Sequence, residues 1–266
     1  MKKYNAIFYL LFVLLVMGTF ASMAQNNYGF IIMEGVALAF ALVFFIQAFV
    51  ILFKKSKKDL TSFLEPACLF LLALIFFLRA INKHFQYVEQ IFSIAALILT
   101  VIYFKKMISR FRYFKSKNKL LAMHVIIFHM SIILFLISLC IYPYSTRSAE
   151  VIAVAAFLLL IIFIVSGFIN KNLLTDGIMT TPYNMVSQFE DHSPVIVTFC
   201  LLFSLFVGLN RIGLLPGIYS DEYPHAYYEL VNKASTGNEK AVDGKFKFEL
   251  FKDNYDLFLK HNVKDK

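Results

Sequence analysis

The sequence predicts an all-α fold: a polytopic helical membrane protein with six transmembrane helices behind a signal peptide (seven if the peptide stays) and a small helical tail. Three observations predict it. Of 266 residues, 59% are apolar and 16% charged, with mean hydropathy +0.69, against about 45–50% apolar and about 25% charged in soluble domains. The apolar excess is gathered into uncharged runs near the roughly 20 residues that a bilayer crossing needs. Lys and Arg crowd into short stretches between those runs.

Taken in order, Lys2 and Lys3 precede an apolar stretch from Ala6 to Phe20, followed by Ala21-Ser22-Met23-Ala24. A charged start, a short apolar region and small residues at −3 and −1 (Ser22 and Ala24) describe a cleavable signal peptide over 1–24. The bundle, 25–216, then offers spans at about 29–53, 60–81, 87–104, 120–142, 149–169 and 194–215. With residue 25 outside, the basic stretches 54–59 and 105–119 and the segment 170–193 fall inside. Those inner stretches carry twelve Lys/Arg, against Arg79, Lys83 and Arg147 in the outer turns, which sets the orientation. Within 170–193, Thr181-Pro182 reads as an N-cap and first helical residue. Met185, Val186 and Phe189 follow on one face, and Glu190, Asp191 and His192 close a short surface helix. The tail, 217–266, lies outside the cytoplasm. It has helical patches at Pro224 to Ala234 and Phe246 to Leu259 and too few residues for an independent core.

Net charge is +9, but the surplus sits in the loops, and the tail has eight Lys against nine Asp/Glu. No basic face is joined to a soluble fold, so no nucleic-acid partner is expected. Cys68, Cys140 and Cys200 all fall inside apolar spans without a C-x-x-C, as buried thiols do. The 31 Phe and absent Trp leave the interface belt to Tyr and Phe.

Ionisable groups in a bilayer are costly. On this topology Glu34, Arg79, Glu89, Glu150 and Arg211 come from five helices to one depth near the outer rim, a candidate intramembrane polar cluster. Glu34 is flanked by apolar residues and is the one that most needs an internal partner, with Arg211 its natural candidate. His129, about ten residues or roughly 15 Å into its span, is the candidate proton-handling group, against the plainer reading of a neutral, hydrogen-bonded structural histidine. His124 and His129, five apart, cannot share a metal from one regular helix. Glu65-Pro66, at the inner start of its span, reads as first-turn chemistry.

H-E-x-x-H, G-x-S-x-G, P-loop and C-x-x-C-H strings are all missing, so neither metal nor cofactor is expected. The prolines fall at span ends, whereas transporters break helices at mid-membrane. These features favour a non-catalytic subunit or assembly or scaffold factor of a membrane complex, whose partners are the lipid bilayer and other membrane proteins or a second copy. An ion or small-solute transporter or channel is the second reading. An enzyme acting on a lipid or anionic substrate at the outer leaflet is the third. Lys over Arg and abundant Ile, Phe and Asn suggest a bacterium with AT-rich coding, hence an inner-membrane protein with a periplasmic C-terminus.

Overall fold

The computed structural model describes residues 5–23, 27–53, 60–81, 86–116, 118–169, 191–211 and 214. Among them seven helices occur: α1 (Asn5–Met23), α2 (Asn27–Phe53), α3 (Leu60–Ala80), α4 (Val88–Lys115), α5 (Lys119–Ile141), α6 (Thr146–Ile169) and α7 (Ser193–Arg211). Each of α1 to α6 is long and apolar enough to cross a membrane, and α7 carries a shorter apolar stretch, Ser193–Leu209. The chain is a polytopic helical membrane protein. The tail 217–266 and residues 170–190 of the segment 170–193 lie outside the described residues; Asp191 and His192, expected to close a surface helix there, stand in a bend immediately before α7.

One boundary differs in a way that matters. The sequence places a loop over 105–119, whereas α4 continues to Lys115. No Gly or Pro lies between Val88 and Lys115, and Lys, Arg and Met are good helix formers, so a change in polarity alone does not stop the helix. The chain turns at Asn118, whose side chain accepts from Leu120 N at 2.9 Å and Leu121 N at 3.3 Å and caps α5. At its other end α4 begins after Tyr87, whose φ of 68° is left-handed and uncommon for a bulky residue.

The chain forms two compact units, residues 1–12 with 34–204 and residues 13–33 with 205–266. In the larger, α3 packs on α4, α4 on α5 and α5 on α6. The most buried helix is α5, 56% of whose span is enclosed against 39% or less elsewhere. Ala96, Leu99 and Tyr103 of α4, Val125, Phe128, Ile132 and Leu136 of α5, and Ala156 and Leu160 of α6 are fully buried. Their spacing of three and four is that of one helix face. The opposite faces stay apolar: Ile94, Leu97, Val101 and Phe104 on α4, and Val151, Val154, Leu158 and Ile162 on α6, are exposed. Stripes of that kind suit lipid, which is as apolar as Leu.

The start of α1 also packs in this unit. Phe8 lies 5.4 Å from Phe44, and Phe12 lies 5.2 Å from Phe40 and 4.9 Å from Phe199 (ring centroids). In the smaller unit α1 and α2 meet backbone to backbone. A Cβ on Gly29 would stand 2.2 Å from Ser22 N and 2.7 Å from Gly18 O, so only glycine fits there. Ser22, one of the two residues that suggest a cleavage site, is buried, and Ala24 lies outside the described residues.

Candidate functional site

The lysine-rich end of the larger unit holds a buried charge network. Its spine is α4, where Tyr103, Lys106 and Arg110 (i, i+3, i+7) share a face. That face exists only because α4 runs on through the basic stretch. Glu65, on the second turn of α3, meets it. Its Oε1 accepts from Tyr103 Oη at 2.5 Å and from His192 N at 3.3 Å, and its Oε2 accepts from Lys106 Nζ at 2.7 Å. The Lys106 ammonium also lies 4.7 Å from the centre of the Tyr103 ring, within cation–π reach.

Asp191 brings in α7. Its Oδ1 accepts from Ser193 N at 3.1 Å and Ser193 Oγ at 2.6 Å, an Asx-type arrangement that opens the helix. Its Oδ2 accepts from Lys106 Nζ at 2.9 Å and Arg110 Nη2 at 2.8 Å. Burial alone would push the Asp191 carboxyl up. Lys106, Arg110 and the Ser193 hydroxyl outweigh that and hold it well below the usual carboxylate range, because each favours the charged form.

Arg110 carries the network on to α5. Its Nη1 lies 2.8 Å from His129 Nε2, and His129 Nδ1 lies 2.8 Å from Val125 O. A guanidinium only donates, so Nε2 is the accepting nitrogen, Nδ1–H donates to the carbonyl, and the ring is neutral. On the far side, His192 Nε2 lies 2.5 Å from Gln47 Oε1 of α2, and the Phe44 ring stands edge-on to the imidazole at 5.5 Å.

Five helices are thus tied at one end by a network that contains, among the described residues, two carboxylates and two cations. A buried pair repays its desolvation only with good geometry and every remaining proton and lone pair satisfied. Chemically, the arrangement can fasten helices and can hold or pass a proton.

Of the residues expected at the outer rim, Glu34, Glu89 and Glu150 stand apart from this network. Glu34 is half-buried on the second turn of α2, Glu89 is exposed at the start of α4, and Glu150 is half-buried in the first turn of α6. The side chains of Arg79 and Arg211 lie outside the described residues. Of the expected residues whose side chains are described, the network contains His129 alone. His124 sits one helical turn and a half closer to the lysine-rich end, with Nδ1 2.9 Å from Leu120 O and Nε2 3.1 Å from Ser166 Oγ. Glu65 is a junction of three elements, which corrects its reading as first-turn chemistry. Gln47, Tyr103, Lys106, Arg110, Asp191 and His192 are further members that sequence reasoning passed over as site residues. Two signals were available: Gln47 is the single polar residue between Val36 and Phe53, and the i, i+3, i+7 spacing on α4 is regular.

Compared with known proteins, the chain matches no family model, no curated protein and no solved structure.

Proposed function

We propose that this multi-pass membrane protein is a non-catalytic subunit or assembly factor of a membrane complex, with the charge network as an internal fastening. The observation that carries the reading is the matching of two acids by two bases across helices, each acid accepting and each base donating within the protein. Groups so consumed hold helices in register, and buried ionic groups are best attested as devices of registry. The lysine-rich ends lie in the cytoplasm and the tail outside it, in keeping with the charge bias of the connecting stretches. Alkaline phosphatase and a cytosol-dependent fluorescent protein, fused separately after Lys266, test that map: phosphatase activity with a dark fluorescent fusion is expected. Mild extraction followed by native electrophoresis tests the role. Migration with other membrane proteins or as a defined oligomer is expected, and a solitary monomer overturns it.

A second reading, an ion or small-solute transporter, is favoured by one feature. The Lys106 and Arg110 side chains remain 21% and 20% exposed, so the network opens toward its own end of the bundle. Flux in proteoliposomes lost in Lys106→Met would replace the first reading with this one.

A further inference from the structure

We infer that His192 is a proton-binding site, with Glu65 and the amide of Gln47 as its two partners and the bound proton as its ligand. All three side chains are more than nine-tenths buried: His192 is 3%, Glu65 4% and Gln47 5% exposed.

The bonding leaves two atoms over. His192 Nε2 faces a carbonyl oxygen, Gln47 Oε1, at 2.5 Å. Two acceptors cannot bond, so Nε2 carries hydrogen. A neutral imidazole has one N–H, which leaves Nδ1 as a bare lone pair. That atom lies 3.4 Å from Glu65 Oε1 and has no hydrogen-bond partner among the described residues; Gln47 Nε2 has none there either. A lone pair held against a carboxylate in a dry interior is repulsive. One added proton on Nδ1 turns the contact into an ion pair with Glu65. The proton bonds to the ring nitrogen's own electron pair, and no other bond breaks.

The doubly protonated ring then loses its proton from Nε2, because Nδ1–H stays paired with the Glu65 carboxylate. The Gln47 amide turns over, its NH₂ donates to the bare Nε2, and Nδ1–H faces Glu65. The amide therefore reports the proton. Among the described residues, the groups facing the imidazole are Gln47 and the Phe44 ring from α2 and Glu65 from α3. Tyr103 and Lys106 of α4 hold that same carboxylate, and Asp191, adjacent in the chain, is held by Lys106 and Arg110. The proton adds one positive charge beside Glu65. His129 is unsuited to this work, because Arg110 occupies its accepting nitrogen.

The test is magnetic resonance on the full chain in lipid nanodiscs, with ¹⁵N-labelled histidine and glutamine, across roughly pH 5 to 8. His192→Asn assigns the ring signals by their loss, and Gln47→Leu assigns the amide. The expected result is a ring passing between doubly protonated and neutral forms, with the Gln47 amide moving at the same midpoint. Gln47→Glu, which puts a carboxylate beside Nε2–H, is expected to raise that midpoint by about 1–3 pH units, and Glu65→Gln to lower it by about 1–3. Should Glu65→Gln fail to fold, Gln47→Glu carries the test by itself. A ring that keeps one form over the whole range overturns the inference. So does an amide that stays still while the ring titrates, or a midpoint unmoved by Gln47→Glu.

Discussion

The two ends of the larger unit solve the same problem with different chemistry. At the lysine-rich end, helices are joined side chain to side chain, by Glu65 with Tyr103 and Lys106 and by Asp191 with Lys106 and Arg110. At the opposite end they are joined by serines to backbone: Ser93 Oγ donates to Cys140 O at 2.9 Å and Ser138 Oγ to Ala149 O at 2.8 Å. A serine bond costs little to bury, because neither the hydroxyl nor the carbonyl carries a charge. A carboxylate–ammonium bond costs several kcal/mol of desolvation per ion, and that cost recurs whenever one partner is lost. The first end is therefore fragile to single changes, and the second is tolerant of them.

The largest effect should come from Glu65→Ala. Removing the carboxylate strands the Tyr103 hydroxyl and takes one partner from Lys106. A loss of about 3 kcal/mol is expected, the lower end of the range for a broken buried pair, since Lys106 keeps Asp191. Unfolding by SDS titration measures it, and adding Lys106→Met should return part of the loss. Full stability in Glu65→Ala would erase the contrast between the ends.

Acid gives the next effect. The carboxyl of Asp191 is lowered on folding, so its contribution is complete above the unfolded value, about 4, and drains as pH falls below that toward the folded value. The slope expected from this one group is up to about 1.4 kcal/mol per pH unit, from roughly pH 4 downward. Melting curves in Asp191→Asn should be less steep on the acid side than those of the parent chain, whereas Glu89→Gln should keep the parent slope.

At the serine end Ser138→Ala should cost about 1 kcal/mol, the net worth of one hydrogen bond, seen as a small drop in melting temperature. Smallest of all, Glu89→Gln on the exposed start of α4 should change stability by no more than about 0.5 kcal/mol. An effect there matching Glu65→Ala would sharpen the picture differently, by making the outer-rim acids a second buried network.

The contrast also explains what could be read without coordinates. Helix number, type and membrane placement follow from run length and composition, which are local and additive, so α2, α3, α5 and α6 emerge within a few residues of their expected bounds. The end of α4 did not, because a basic stretch was taken for a loop although nothing in it breaks a helix. That single boundary hid the site. With Lys105 to Lys115 in a loop, Lys106 and Arg110 are topology signals; on a helix they are the face that meets Glu65 and Asp191.

Sequence alone determined a membrane-embedded helical chain, because burying uncharged backbone in lipid leaves a helix almost no competitor. Only the tertiary structure decided which charges are neighbours. Glu65 and His192 lie far apart in the chain and share no local pattern, yet Glu65 Oε1 accepts from the His192 backbone at 3.3 Å. Their meeting depends on how separate helices pack, a property of the assembled bundle that no single segment encodes.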